Sequence, residues 1–396
     1  MRAFKLTTWN VEWADKTLEA LDGTGRAQSE AQAKMAAIRD EITALDADIL
    51  FVCEGPKGEE RAARYFAAVA PGYRLVTRGD PEGRSYGIQG RQWLWFLVRE
   101  TLAATLAPEL VPVPTWQDFV REQSQDRHDK GRWRAAVPTF QRDKTNPADM
   151  GRLGPPALVP HGHYRHPQVL RIHWQGLAVE VIGVHLKSKF VNERDPWMKW
   201  KPPVRADGAP PTYREIEAAI AACPGYLCES VANRAELTSE AQNVRYYIER
   251  RFAQDPDPAI FVVGDVNDGP GKELIEEWFL MHDLIGNLQG DVFNARAYLN
   301  HALFDFPGPL RWSVRFQDRV DPRRAPEILI DHILFTQRLT GAGKGLLRVL
   351  PQAGLVEHAV HERVASLLPR RVTTSDHRPV SVTVTAVDAA GIPLPG

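Results

Sequence analysis

Apolar residues along this chain recur with two periods, and the order in which the periods alternate predicts its architecture. Alternation through Phe4, Leu6 and Thr8 predicts a strand near residues 3–10. Helical spacing then takes over, with Ala31, Met35, Ile38, Ile42 and Leu45 on one face of an amphipathic helix over about 27–46. Asp48–Val52 reads as the next strand, a helix is expected near 59–70, and β-type runs follow at 73–77, 93–98, 168–174 and 178–184. The second half repeats this plan loosely, with helices near 212–222 and 231–253 and strands at 259–264, 328–335 and 379–386. Thr212 and Glu215 stand at capping-box spacing for the first of these helices. Leu237, Ala241, Val244, Ile248 and Phe252 give the second a buried face. Two similar halves of this kind predict an α/β (α+β) four-layer sandwich, two packed mixed β-sheets flanked by helices.

Two stretches break the pattern. Residues 106–165 are rich in Pro, Trp and charge with little periodicity, and a structureless connection of that length is expected to be an insertion serving as a lid or substrate platform. Residues 187–211 form a second irregular insertion. The sequence is read as one catalytic domain over residues 1–387 carrying both insertions, with 388–396 as an unpacked C-terminal tail.

Composition narrows the picture. A chain of 396 residues usually divides into two or three domains, but a large two-sheet fold uses this length as one, and 43% hydrophobic residues suffice for a sizeable core. Forty-nine Lys and Arg balance fifty Asp and Glu, so contact with a polyanion has to come from local patches. No window approaches the roughly 18 consecutive apolar residues of a membrane span. No membrane association is expected, and the lack of a visible secretory pattern after Met1 leads to a cytoplasmic expectation. Cys53, Cys223 and Cys228 cannot build a disulfide framework; Cys53 reads as a buried strand residue, and Cys223 and Cys228 as two free thiols or a local bridge.

Chemistry is concentrated where the apolar runs end. Asn10 and Glu12 lie in TTWNVEW, Glu54 in DILFVCEG, His185 in GVHLKSK, Asp265 and Asn267 in VVGDVNDGPG, Asp331 in ILIDHILF, and Asp376 and His377 in TTSDHRPVSV. Strand ends can aim such side chains into one cleft. In this order, with Gly-Asp-Val-Asn at 264–267, His-Leu-Lys-Ser at 185–188 and Ser-Asp-His at 375–377, the chain resembles the endonuclease/exonuclease/phosphatase superfamily, the deoxyribonuclease I-like fold, over nearly its whole length.

That resemblance implies Mg²⁺, with Mn²⁺ as a substitute, bound by Glu54 together with Glu12 and Asp376, since a hard cation prefers carboxylate oxygens. The family often has Asp where this chain has Glu12, and a salt-bridging role is the alternative there. Asp265 is implied to position or deprotonate the attacking water, and Asn267 to donate to the transition state, while Asp-Val-Asn-Asp-Gly-Pro-Gly also reads as an Asx-type turn. His377 with Asp331 matches the family's histidine and its orienting carboxylate, and His185 a phosphate-contacting histidine. Asn10 is expected to support Glu54 or to bind phosphate, and Arg165 to grip phosphate. His332, adjacent to Asp331, is expected to point the other way and be structural. The implied reaction is in-line attack of water on phosphorus, without a covalent intermediate.

Local charge bears on the substrate. Lys187, Lys199 and Lys201 lie in one basic loop with Trp197 and Trp200, and Arg323 and Arg324 lie in another with Trp312. Basic residues interleaved with aromatics suit a nucleic-acid strand. The alternative is that these tryptophans, like Trp116 and Trp133, pin long loops to the body. The reading is a Mg²⁺-dependent nuclease acting on DNA rather than RNA. The other readings are a phosphomonoesterase or lipid or inositol phosphate phosphatase on the same scaffold, and an inactive interaction module. No obligate protein partner is inferred.

Overall fold

A computed structural model describes residues 3–125, 127–269, 273–279, 283–340, 346–369, 372–388 and 390–394. From the N-terminus, β1 (Ala3–Asn10) is followed by α1 (Ala14–Leu21), α2 (Gly25–Leu45), β2 (Ile49–Gly55), α3 (Glu59–Val69), β3 (Tyr73–Val76) and β4 (Trp93–Arg99). Then come α4 (Glu100–Leu106), β5 (Glu109–Leu110), α5 (Val113–Gln123), the hairpin β6 (Trp133–Gln141) and β7 (Arg152–His161), and β8 (Gln168–Trp174) with β9 (Leu177–His185). The second half runs through α6 (Tyr213–Ala221), α7 (Pro224–Gln254), β10 (Ala259–Asp265), α8 (Leu274–Phe279) and α9 (Leu284–Gln289). Short strands β11 (Asn300–His301), β12 (Val314–Arg315) and β13 (Glu327–Ile328) precede β14 (Asp331–Phe335), β15 (Leu347–Val356), α10 (His358–Ala365) and β16 (Val380–Ala386).

The strands build two six-stranded mixed sheets, ordered β15-β16-β1-β2-β4-β3 and β11-β14-β10-β9-β8-β5. Strand parity explains how they stack. Phe4 and Leu6, Phe51 and Cys53, Val179 and Val181, Phe261 and Val263, Ile333 and Phe335, and Val382 and Val384 share one buried core between the sheets. Residues of opposite parity face outward: Trp9, Leu50 and Val52 meet α1, α2 and α3, and Ile182, Ile260, Val262 and Leu334 meet α5, α7 and α9. The four-layer sandwich expected from the sequence is therefore the observed architecture. The capping box also forms, Thr212 Oγ1 accepting from Glu215 N.

The insertion expected over 106–165 is corrected. It holds α5 and a long antiparallel hairpin, paired from Trp133↔His161 to Gln141↔Arg152. Its tryptophans concealed this order, because Trp116 stacks on Tyr247 of α7 at 4.3 Å and Trp133 packs against His128, His161 and His163. The 187–211 stretch is irregular apart from one turn at Pro196–Met198. The tail is also less free than expected: Val387 bridges Pro393, and Leu394 packs on the central core. All three cysteines are free and buried. Among the described residues, no helix is long and apolar enough to cross a membrane.

Candidate active site

The site is the polar end of the inter-sheet core. Asn10 continues the inward parity of Phe4 and Leu6, Asp265 that of Phe261 and Val263, Asp331 that of Ile333, and His185 that of Val181. Register then makes three of them neighbours. Asp265 is opposite Asp331 in the antiparallel β10–β14 pair and opposite His185 in the parallel β9–β10 pair. Glu54 has the wrong parity for this face, and a β-bulge corrects it: the β2–β4 register shifts between Val52 and Gly55, and Glu54 adopts φ 58°. Gly264 makes the close approach beneath Asp265 possible. It has φ +133°, and a Cβ there would lie 2.0 Å from the Val184 carbonyl oxygen.

A continuous contact path joins the expected catalytic groups. Asn10 Nδ2 donates to Glu54 Oε1 at 3.3 Å and to Asp265 Oδ2 at 3.1 Å. Asp265 Oδ1 accepts from Asn267 N at 2.9 Å, while its Oδ2 lies 3.4 Å from His185 Nε2 and 3.8 Å from His377 Nε2. His377 Nδ1 is 2.7 Å from Asp331 Oδ2. This short contact fixes the ring and leaves Nε2 facing the cleft.

The two histidines are driven in opposite directions. Burial lowers His185 well below its ordinary value, helped by Arg165 and His377, so it is neutral. For His377 burial acts the same way, but it is outweighed by Asp331 and Asp265, and the ring rises to about 10. Asp265 is pushed up to about 7 by burial, with Asp331 adding to the rise and His377 opposing it. Titratable groups separated in this manner mark proton-handling sites.

Asp265, Asp331 and His377 also place one potential ligand atom each within 4.8 Å of one another. Within this trio His377 and Asp331 are hydrogen-bonded, and half-buried Glu54 is linked to it through Asn10. Glu54 Oε2 accepts from Trp13 N at 3.0 Å, so the carboxylate is oriented but retains lone pairs. Buried Asp331 Oδ1 and His185 Nδ1 have no hydrogen-bond partner among the described residues. The carboxylate oxygens of Glu54 are of the donor type a hard divalent cation such as Mg²⁺ prefers.

The other expected ligands are placed differently. Glu12 pairs with Lys34 of α2 at 3.2 Å, the salt-bridging alternative, because its φ of 51° turns the chain toward that helix. Asp376 is at the rim, its side chain 70% exposed and 3.9 Å from His377 Nε2. Asn267 forms the turn contact with Asp265 and also donates Nδ2 to the Leu186 carbonyl. Arg165 donates to the carbonyls of His185 and Leu186 and to Gln92 Oε1, so the expected phosphate grip is corrected to a brace behind His185. His332 is structural, as expected: its ring nitrogens face the Asp268 carbonyl and His301.

The basic loops are corrected in part. Trp200 is 1% exposed and stacks on Tyr226, within a small core that also holds Val191, Ile216, Ile220 and Val320. Trp312 is buried against His358. Trp197 lies under Arg142. Arg323 pairs with Asp321 over the Tyr213 ring, and Arg324 approaches Glu273 and Asp318. Lys187 Nζ donates to Asn233 Oδ1, and Lys199 and Lys201 are exposed. The tryptophans thus pin the loops to the body, because rings this large gain more from a packed pocket than from water.

Sequence reasoning missed the groups that hold the site together. Ser375 Oγ donates to the Asn10 carbonyl and accepts from His377 N, and Trp9 Nε1 donates to the His377 carbonyl. Ser313 Oγ accepts from Asp331 N. Ser375 stood inside the Ser-Asp-His motif, whereas Trp9 and Ser313 carried no signal beyond core and loop residues. Exposed aromatics at Trp13, Tyr164 and Phe190, adjoining the Glu54, Arg165 and His185 segments, were also overlooked.

No protein-family model matches the chain, and no curated protein matches it significantly. Among solved structures, truncated Caenorhabditis elegans TDP2 aligns over 97% of this chain and 98% of its own, at 12% identity and TM-score 0.44. D. rerio TDP2 complexed with single-strand DNA product aligns over 97% and 99%, at 10% identity and TM-score 0.43. AP endonuclease LMAP from Leishmania major aligns over 98% and 89%, at 11% identity and TM-score 0.48.

Proposed function

We propose that this chain is a Mg²⁺-dependent phosphodiester hydrolase, a nuclease acting on DNA rather than RNA, of the superfamily its motifs resemble. The observation that carries the reading is the environment of Asp265: a buried carboxylate between neutral His185 and protonated His377, linked through Asn10 to Glu54. Asp265 orients a water and takes its proton as the water oxygen bonds to phosphorus. His377, held charged by Asp331, donates a hydrogen bond to a phosphoryl oxygen as negative charge builds there. His185 donates from a neutral ring to the same phosphate. Mg²⁺ held by Glu54, with Mn²⁺ able to replace it, would neutralise charge on the phosphate and the leaving oxygen. A polynucleotide is favoured over a small monoester by the exposed Lys199 and Lys201 and by Phe190, an exposed ring five residues beyond His185.

The test is a panel of single-stranded DNA, duplex DNA, RNA, inositol phosphates and a small phosphodiester, each with Mg²⁺, Mn²⁺ or chelator. Hydrolysis of the DNA substrates and the diester that disappears with chelator is expected. Hydrolysis of phosphomonoesters alone would replace this reading with the phosphatase one.

A further inference from the structure

The β6–β7 hairpin and α7 enclose a groove that begins at the catalytic histidine. Its inner section, about 410 Å³, is lined by His185, Arg165, Lys187 and Arg132, among others. Its outer section, about 1060 Å³, shares Arg132 and Pro160 with the inner one, so the two adjoin at those residues. The outer rim is strongly cationic. Among the described residues, Arg127, Lys130, Arg132 and Arg134 face it, against one carboxylate, Asp129. All four cations are exposed, and none has a side-chain partner among the described residues. This contrasts with Arg323 and Arg324, which lie against carboxylates.

Beneath the rim, Leu158, Tyr246 and the edges of buried Trp133 and Ala135 give the groove an apolar strip, bordered on α7 by Thr238, Ser239 and Gln242. Leu158 is 62% exposed there. The hairpin is also tied to the catalytic strand. Buried Glu240 of α7 contacts His161 at 3.1 Å through one oxygen and accepts Lys187 N at 2.8 Å through the other, two residues beyond His185.

We propose that this groove binds a single strand of nucleic acid on one side of the scissile phosphate. Cations on the rim meet successive phosphates, while unpaired bases lie on the apolar floor, an arrangement a base-paired duplex cannot adopt. The proposal rests on the phosphodiesterase reading and adds to it the strand state of the substrate and where the strand runs.

The test uses the full chain and the triple variant Arg127→Ala/Lys130→Ala/Arg134→Ala, residues of the outer section only, with circular dichroism to verify folding. Binding of a labelled single strand of about twelve nucleotides is measured across a salt series, with the matching duplex alongside. Rates are measured on the same strand, on a dinucleotide and on a small phosphodiester.

The variant is expected to bind the single strand at least about tenfold more weakly, with a salt slope shallower by about two. Its KM for the strand should rise while dinucleotide and small-diester turnover remain those of the parent. Unchanged strand binding and cleavage would overturn the groove while leaving the catalytic reading intact. Equal weakening of duplex binding would overturn the single-strand assignment. If the parent hydrolyses no phosphodiester, the catalytic reading fails, and the binding arm alone then supports or overturns the groove.

Discussion

Asp265 is flanked by two histidines whose opposite charge states follow from their neighbours. Burial opposes the charge on both rings: Asp331 and Asp265 outweigh it at His377, which holds its proton, whereas at His185 burial prevails, helped by Arg165 and His377, and the ring is neutral. Because the folded value of His377, about 10, exceeds its ordinary 6.5, its contribution to stability is complete below about 6.5 and is lost as pH rises through about 10. Urea titrations from pH 6 to 10 should therefore show the stability gap between parent and His377→Gln shrinking as pH rises. A gap that is flat or widens would contradict the charged dyad. Asp265→Asn should lower kcat by about 10² to 10⁴ with little change in KM, since the proton acceptor is lost while phosphate contacts remain. Asn10, His185, Asp265 and Asp331 were legible as candidates because each lies at one end of an apolar strand and shares its inward parity, whereas the bulge that turns Glu54 inward and the loop that carries His377 have no such period. Glu12 and Arg165 were misjudged because their partners, Lys34 and the carbonyls of residues 185 and 186, come from elsewhere in the fold.

Elements decide how those side chains are held. The β2 bulge brings Glu54 to the cleft, and the loop before β16 hangs His377 from Trp9 and Ser375. Long strands and amphipathic helices could be read from period alone. The hairpin could not, because β7 (Arg152–His161) alternates between exposed and half-buried residues and finds its partners on α7 and β6. The same limit applies to the tryptophans, since spacing among lysines does not reveal whether a ring faces water or a satellite core. Trp200→Ala should cost about 3 to 5 kcal/mol in chemical denaturation while leaving the salt dependence of nucleic-acid binding unchanged. Loss of binding without loss of stability would restore the ring to the substrate surface.

At the scale of the whole molecule, two sheets press their apolar faces together and leave polar groups from both at one end of the shared core. Asn10 and Glu54 come from the first sheet, His185, Asp265 and Asp331 from the second, and His377 from the loop entering β16. A catalytic constellation spanning both sheets is as rigid as the core beneath it. In the mechanism proposed here, Glu54 holds a divalent cation beside Asp265 and its two histidines. A Mg²⁺ titration of small-phosphodiester hydrolysis by the parent, Glu54→Gln and Asp265→Asn tests it most directly. Expected are no turnover in chelator, a half-saturating Mg²⁺ concentration raised at least about tenfold in Glu54→Gln, and a lower plateau with little shift in Asp265→Asn. Metal-independent turnover by the parent, or a Glu54→Gln curve that overlays the parent's, would rule out a cation held by Glu54.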